Sequence, residues 1–304
     1  MNIPNIPNNC GYHLSPYAKT ATGLSYADEV YLSAKTYTPF STRLGPARTA
    51  LAPKPVHILP DEIFATSLSH YEQNNFARLL RQHFGLGVAN DLLRRFCVGT
   101  SNHWQGACVF WYIDEQGRKR GGQIKLFGPD WHTVKFTNSE GEKHSRITWV
   151  HKALIRRYVQ RKEPVPDWLR RYHEGAERSP CLFGLPQLKE APATKPVAIV
   201  EAPKTAILAT PYFPDFIWLA AGAKSYLNAE RLKPVRSRRI VLVPDLDAFQ
   251  NWKNIAASLA AEGYNVEVKD YLQRHSTHVQ KQAGYDLADF LIEGWQGYPP
   301  SWDA

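Results

Sequence analysis

Cysteine is scarce in this chain. Its 304 residues hold four, Cys10, Cys97, Cys108 and Cys181, and no two are spaced as Cys-x-x-Cys. That pattern encodes neither a disulfide framework nor a complete zinc site, so no structural zinc is expected. A targeting signature is also lacking. The opening Met-Asn-Ile-Pro-Asn-Ile-Pro-Asn-Asn has no basic segment followed by an apolar one. No apolar run reaches the roughly 20 residues that a membrane helix needs. The expectation is a protein of the reducing cytoplasm with no membrane partner.

What is present is ordinary globular material, 43 % hydrophobic and 21 % charged, with a formal net charge of +9. A basic balance favours a polyanionic partner. Residues 1–60 are rich in Pro, Asn, Ser, Thr and Tyr without a sustained period and read as an irregular arm. From 61 to 178 the pattern predicts an α+β unit. Phe76, Leu79, Leu80 and Phe84 recur at helical spacing, Gly85 and Gly87 stop that helix, and Val88 to Phe96 begins another. Ala107 to Ile113 reads as a buried strand, Asp114 to Gly117 as a turn and Arg118 to Phe127 as a returning strand. Lys152 to Lys162 and Trp168 to Tyr172 are basic helices.

The second half, 179–304, alternates short apolar runs with helical ones, which predicts a Rossmann-type parallel sheet. The strands are Val197–Val200, Phe216–Ala220, Ile240–Val243 and Asn265–Val268; the helices start at Thr205, Ser225 and Trp252. Two of the strands run directly into carboxylates. Val200 is followed by Glu201, and Val243-Pro244 by Asp245-Leu246-Asp247. Ligands of open parallel sheets bind beyond the carboxyl ends of the strands, so neighbouring strands would bring these three acids to one rim. Hard divalent cations are held by such oxygen donors. Taken singly, each acid equally suits a solvated strand end or a turn.

Val200-Glu201-Ala202-Pro203-Lys204-Thr205-Ala206, then Asp245-Leu246-Asp247, then Tyr285-Asp286-Leu287-Ala288-Asp289-Phe290-Leu291 together resemble a toprim domain. That domain is shared by bacterial primases, topoisomerases, nucleases and recombination proteins. The similarity is greatest to primase-like proteins of bacterial mobile elements, in which Cys181-Leu182-Phe183-Gly184 and Trp218-Leu219-Ala220 with Ala221-Gly222-Ala223-Lys224 also have counterparts. It covers Thr148 to Gly294 well and the N-terminal half more loosely. The resemblance implies a toprim-like α/β domain behind an α+β unit. It implies a general acid/base or metal-adjacent role for Glu201, and Mg²⁺ (or Mn²⁺) coordination by Asp245 and Asp247. Asp286 either extends the acidic patch or caps the helix that follows it. Lys204, at a helix start, either meets phosphate or is a solvated surface lysine; Lys224 is a further candidate for nucleic acid. The chain departs from the common pattern in three places. Ala202 stands where Gly is usual, Thr205 where Asp is usual, and no Gly follows Asp247, Phe249 being two residues on.

Leu92 to Phe127 resembles the subdomain that precedes toprim in replicative primases, through Phe96-Cys97-Val98-Gly99 and a basic hairpin. There Arg118, Lys119, Arg120 and Lys125 either line a template groove or keep a sheet edge solvated. Arg156, Arg157 and Arg161 share a helix with Tyr158 and suit phosphates, or form a solvated face. Trp104, Trp111 and Trp149 read as core. Cys10-Gly11-Tyr12-His13 resembles the tail of a zinc ribbon whose other ligands are missing. The expected activity is primase-like nucleotidyl transfer, making short oligonucleotides from nucleotides on a single-stranded DNA template, with a replicative helicase as a candidate partner. A toprim nuclease and a non-catalytic nucleic-acid-binding protein are the alternatives.

Overall fold

The computed structural model of the protein describes residues 55–175 and 180–294. The expected arm up to residue 54, with Cys10 and His13, lies outside the described residues.

The first elements are α1 (Asp61–Ser67), α2 (Asn75–Arg95), β1 (Gly99–Ser101), β2 (Ala107–Ile113) and β3 (Lys119–Lys125). Asn74 starts α2 by accepting the Ala77 N–H, and Gly85 interrupts it at φ 77° and ψ 168°, the break that its glycines predict. The small exposed strands β4 (Lys135–Thr137) and β5 (Lys143–Ser145) pair with each other, and β6 (Ile147–Trp149) leads into α3 (Val150–Gln160) and α4 (Asp167–Gly175). These three-residue strands are too short for a hydrophobic period to announce them.

Strands β1-β2-β3-β6 form an antiparallel sheet in that order. All of β2 is buried because both faces of this sheet are covered. Cys108, Phe110 and Tyr112 enter the main core, whereas Ala107, Val109, Trp111 and Ile113 face a second cluster with Ile63, Ala153 and Leu154 of α1 and α3. Alternation along a strand therefore separates two environments, both apolar.

The start of α3 lies tightly against β3. A Cβ on Gly122 would stand 2.7 Å from Val150 Cγ2 and 3.1 Å from the Trp111 ring. Gly122→Ala is accordingly expected to cost about 1–3 kcal/mol by overpacking, read as a lower urea midpoint with an unchanged slope. An unaltered midpoint would show that α3 is free to move away from the sheet.

The second sheet contains β7 (Val197–Val200), β8 (Ile217–Ala220), β9 (Ile240–Leu242) and β10 (Val266–Val268), all parallel, in the order β10-β9-β7-β8. The intervening helices are α5 (Pro203–Tyr212), α6 (Ala229–Leu232) and α7 (Phe249–Ala261), followed by α8 (Tyr271–His275), α9 (His278–Ala283) and α10 (Leu287–Gly294). The helix expected from Ser225 to Arg231 is instead a short 3-10 turn and then α6. Asn228 opens that new helix by accepting the Arg231 N–H. No described helix is long and apolar enough to cross a membrane.

One continuous apolar cluster includes α2, the inner face of β2 and the strands of the parallel sheet. Phe183 is central to it. Its ring stacks on Phe96 at 5.5 Å and meets Phe110 at 5.7 Å, while its backbone bridges to Ala220 of β8.

Candidate active site

The acids at the two strand ends arrive side by side because β7 and β9 are hydrogen-bonded neighbours, Ile199 opposite Leu242. The Val243 N–H donates to the Ile199 carbonyl at 2.9 Å, carrying the ladder to the last residues before Glu201 and Asp245. On the other side Gly222, at φ 92°, donates its N–H to the Glu201 carbonyl at 2.8 Å and turns the chain across the end of β7. Ala202 sits in extended backbone (φ −99°, ψ 141°), which needs no glycine, and Pro203 then opens α5. The unusual alanine is thus compatible with the turn.

In the second acidic segment Leu246 is buried, and its carbonyl accepts from the Gln273 side chain at 2.6 Å. The Ala248 N–H returns to the Asp245 carbonyl at 2.9 Å. The loop is therefore pinned between Asp245, which is half-buried, and Asp247, which is exposed.

Burial and the charges of Asp286, Glu201 and Asp247 push the Asp245 carboxyl up to about 9. Burial likewise raises Glu201, against the opposing effect of Lys224. Glu201 Oε2 is buried and accepts no hydrogen bond. An unpaired carboxylate oxygen inside a protein is costly unless it is protonated or meets a cation.

Asp286 lies immediately before α10. Its Oδ1 accepts the Asp289 N–H at 2.9 Å and Asp289 Oδ2 accepts the Asp286 N–H at 3.0 Å, a reciprocal helix cap. Thr205, standing where the toprim pattern has an acid, donates its hydroxyl to Asp286 Oδ2 at 2.8 Å. The loss of one acid and the capping of another are parts of one arrangement.

Three lysines border the carboxylates in different ways. Lys224 bonds to Asp247 in an exposed pair. Lys204 is only 7 % exposed, with its ammonium 3.0 Å from Asp289 and 3.5 Å from Asp286. Lys204 is therefore not the solvated surface lysine that one reading of the sequence expected. Lys125, partly buried on β3, feels the charges of Lys204, Glu201 and Asp286, and burial lowers its pKa. The charges of Glu201 and Asp286 oppose that lowering.

Gln123, two residues earlier on the same face of β3, has a buried Oε1 without a partner. It is not among the site residues expected from the sequence. The available signal was a polar residue in a strand covered on both faces.

The remaining basic residues are placed elsewhere. Arg118 and Arg120 turn to the buried Asp114, at 2.7 Å and 3.5 Å. Arg156, Arg157 and Arg161 are exposed on or just after α3, which covers the opposite face of the antiparallel sheet from Lys125. Arg157 donates to Asn102 at 2.6 Å and lines a cleft of about 810 Å³ with Trp111, Val109 and Ile124. That cleft is separate from the carboxylates. Trp111 is buried and Trp149 packs against the main core, as expected of core tryptophans; Trp104 packs beside the second cluster.

Oxygen donors of this kind suit a hard divalent ion. Among the described residues no three His, Cys, Asp or Glu side chains are drawn together as a finished cage. Asp247 turns instead to Lys224, and Asp286 to Thr205 and Lys204. Burial and the neighbouring carboxylates favour the protonated form of Asp245, and Glu201 Oε2 has no hydrogen-bond partner.

No curated protein matches the chain. Among solved structures, it is similar to the E. coli primase catalytic core at 13 % identity, covering 77 % of this chain and 82 % of that one, with a TM-score of 0.44. A DnaG primase catalytic domain bound to single-stranded DNA is 12 % identical, with coverage of 77 % and 82 % and a TM-score of 0.43. The primase fragment of the bacteriophage T7 primase-helicase protein is 14 % identical, with coverage of 84 % and 85 % and a TM-score of 0.39. Residues 74–246, more than half of the chain and including Glu201 and Asp245, match the family described as domain of unknown function DUF6371, and the chain belongs to that family.

Proposed function

We propose that this chain is a divalent-metal-dependent nucleic-acid enzyme, and within that class a primase-like nucleotidyltransferase acting on a single-stranded DNA template. One observation carries the reading. Glu201 and Asp245 leave adjacent parallel strands at the same rim, one with an unpaired buried oxygen and the other with its carboxyl raised to about 9.

Glu201, Asp245 and Asp247 would hold Mg²⁺ or Mn²⁺, which when bound stabilises negative charge on phosphate oxygens. The exposed Lys224–Asp247 pair opens at small cost, since surface ion pairs contribute only about 0–1 kcal/mol. Lys224 is then released toward phosphate on the solvent side. Lys125 lies on the neighbouring antiparallel sheet, where burial disfavours its charge, so Lys224 is the cation at the open rim that a polyanion meets first. Glu201 is the group that exchanges a proton, through Oε2, with the hydroxyl that attacks or leaves. Burial raises its carboxyl toward the range in which it works as either acid or base.

The test is a template-dependent synthesis assay with Mg²⁺ or Mn²⁺ on single-stranded DNA, comparing the native chain with Glu201→Gln. Short oligonucleotides from the native chain, and a loss of about 10²–10⁴-fold in the variant, are the expected result for a group in acid–base catalysis. Nicks in supplied DNA without synthesis would make it a toprim nuclease. Binding of DNA with neither reaction, and no response to metal, would leave a non-catalytic binding protein.

A further inference from the structure

The environment of Lys204 bears on how many ions the proposed centre takes. Lys204 is the second residue of α5, where the helix dipole opposes a positive charge, and its side chain is almost fully buried. A buried ammonium in such a place persists only with close anionic partners. It has two, Asp289 at 3.0 Å and Asp286 at 3.5 Å.

Every oxygen of those two carboxylates is engaged. Asp286 Oδ1 accepts the Asp289 N–H, and its Oδ2 accepts the Thr205 hydroxyl and faces the Lys204 ammonium. Asp289 Oδ2 accepts the Asp286 N–H and its Oδ1 the ammonium. The contrast with the neighbouring acids is direct. Among the described residues Glu201 Oε2 has no hydrogen-bond partner, and Asp247 pairs with the exposed Lys224. The Lys224 side chain is 41 % exposed, whereas that of Lys204 is 9 % exposed.

We infer that Lys204 is a built-in cation occupying the place of a second divalent ion, so that the centre binds one ion, at Glu201, Asp245 and Asp247. This rests on reading that rim as an ion-binding centre. Lys204 is then a positioning residue. It fixes Asp286 and Asp289 at the start of α10 and removes them from the set of available ligands. Substituting it by an uncharged side chain of similar length leaves two buried carboxylates with an unfilled demand for positive charge.

The experiment is Mn²⁺ binding to the full chain, counted by calorimetry and by the loss of the free-ion resonance signal, with thermal melts in chelator and in Mn²⁺. The native chain is expected to bind one ion. Lys204→Met is expected to bind two, to melt lower in chelator, and to regain more from Mn²⁺ than the native chain does. Adding Asp289→Asn to Lys204→Met should return the count to one. Should Lys204→Met fold only when Mn²⁺ is present, that dependence is the same result read through stability. Two ions on the native chain would overturn the role of Lys204 while leaving the metal centre standing. One ion on Lys204→Met with no extra Mn²⁺ stabilisation would overturn it equally. No ion on the native chain would overturn both this inference and the metal-dependent reading beneath it.

Discussion

Asp245→Asn is expected to abolish metal-dependent synthesis and, in the absence of divalent ions, to make the protein more stable. The two effects have one origin. The Asp245 carboxyl titrates at about 9 in the folded chain, against an ordinary 3.8, because burial and the nearby Asp286, Glu201 and Asp247 disfavour its charge. Between those values the folded state retains a proton that the unfolded state has released. Stability must therefore fall as pH rises through that window, and the loss is complete above the folded value. Asparagine removes the slope. At pH 8 in chelator the variant should gain about 1–3 kcal/mol, within the range found when poorly compensated buried charge is replaced. Below about pH 4 the gain should vanish, because both forms are then neutral. Chemical melts of the two proteins from pH 4 to pH 9 measure this. A native chain whose stability is flat over that range would show that Asp245 is not desolvated. The same proton must leave when an ion binds, so Mn²⁺ affinity of the native chain should tighten with pH, by up to about tenfold per unit below 9.

Asp114→Ala is expected to be among the most destabilising single changes outside the carboxylate rim. Asp114 is 2 % exposed at the turn between β2 and β3. Its Oδ1 accepts the N–H groups of Gln116 at 3.2 Å and Arg118 at 2.9 Å, and its Oδ2 meets Arg118 Nε at 2.7 Å and Arg120 at 3.5 Å. Removing it leaves the half-buried Arg120 guanidinium without its counter-charge and two turn amides without an acceptor. Loss of a buried partner of this kind costs about 3–5 kcal/mol when fully enclosed, and roughly 2–4 kcal/mol is expected here because Arg118 is partly solvated. Asn at this position retains one acceptor oxygen for the amides and should recover part of the loss. A urea midpoint for Asp114→Ala equal to that of the native chain would mean that Arg118 and Arg120 find other partners, and would return them to the set of residues free to meet nucleic acid.

The two clearest sequence signals were local. A short apolar run ended by a carboxylate identified Val200-Glu201 and Val243-Pro244-Asp245, since strand propensity and its termination are properties of adjacent residues. The wholly apolar Ala107–Ile113 and the glycine break at Gly85 were legible for the same reason. Which strands become neighbours is not local. Two helices, a strand and two 3-10 turns intervene between β7 and β9 in the chain before they pair, and only the closed sheet places Glu201 beside Asp245.

The basic residues show the limit most sharply. Helical spacing placed Arg156 and Arg157 on one helix but carries no information about what that helix covers, which is the face of the antiparallel sheet away from the acids. Lys204 looked like a helix-start lysine next to a catalytic glutamate. Its burial between Asp286 and Asp289 depends on α10, more than eighty residues later, docking against α5. The sequence by itself determined the strand ends and the acids they carry, because those follow from short-range pattern. The tertiary structure alone decided which cations neutralise those acids, because charge pairing in a protein interior is set by which helix ends meet and by how much water they exclude.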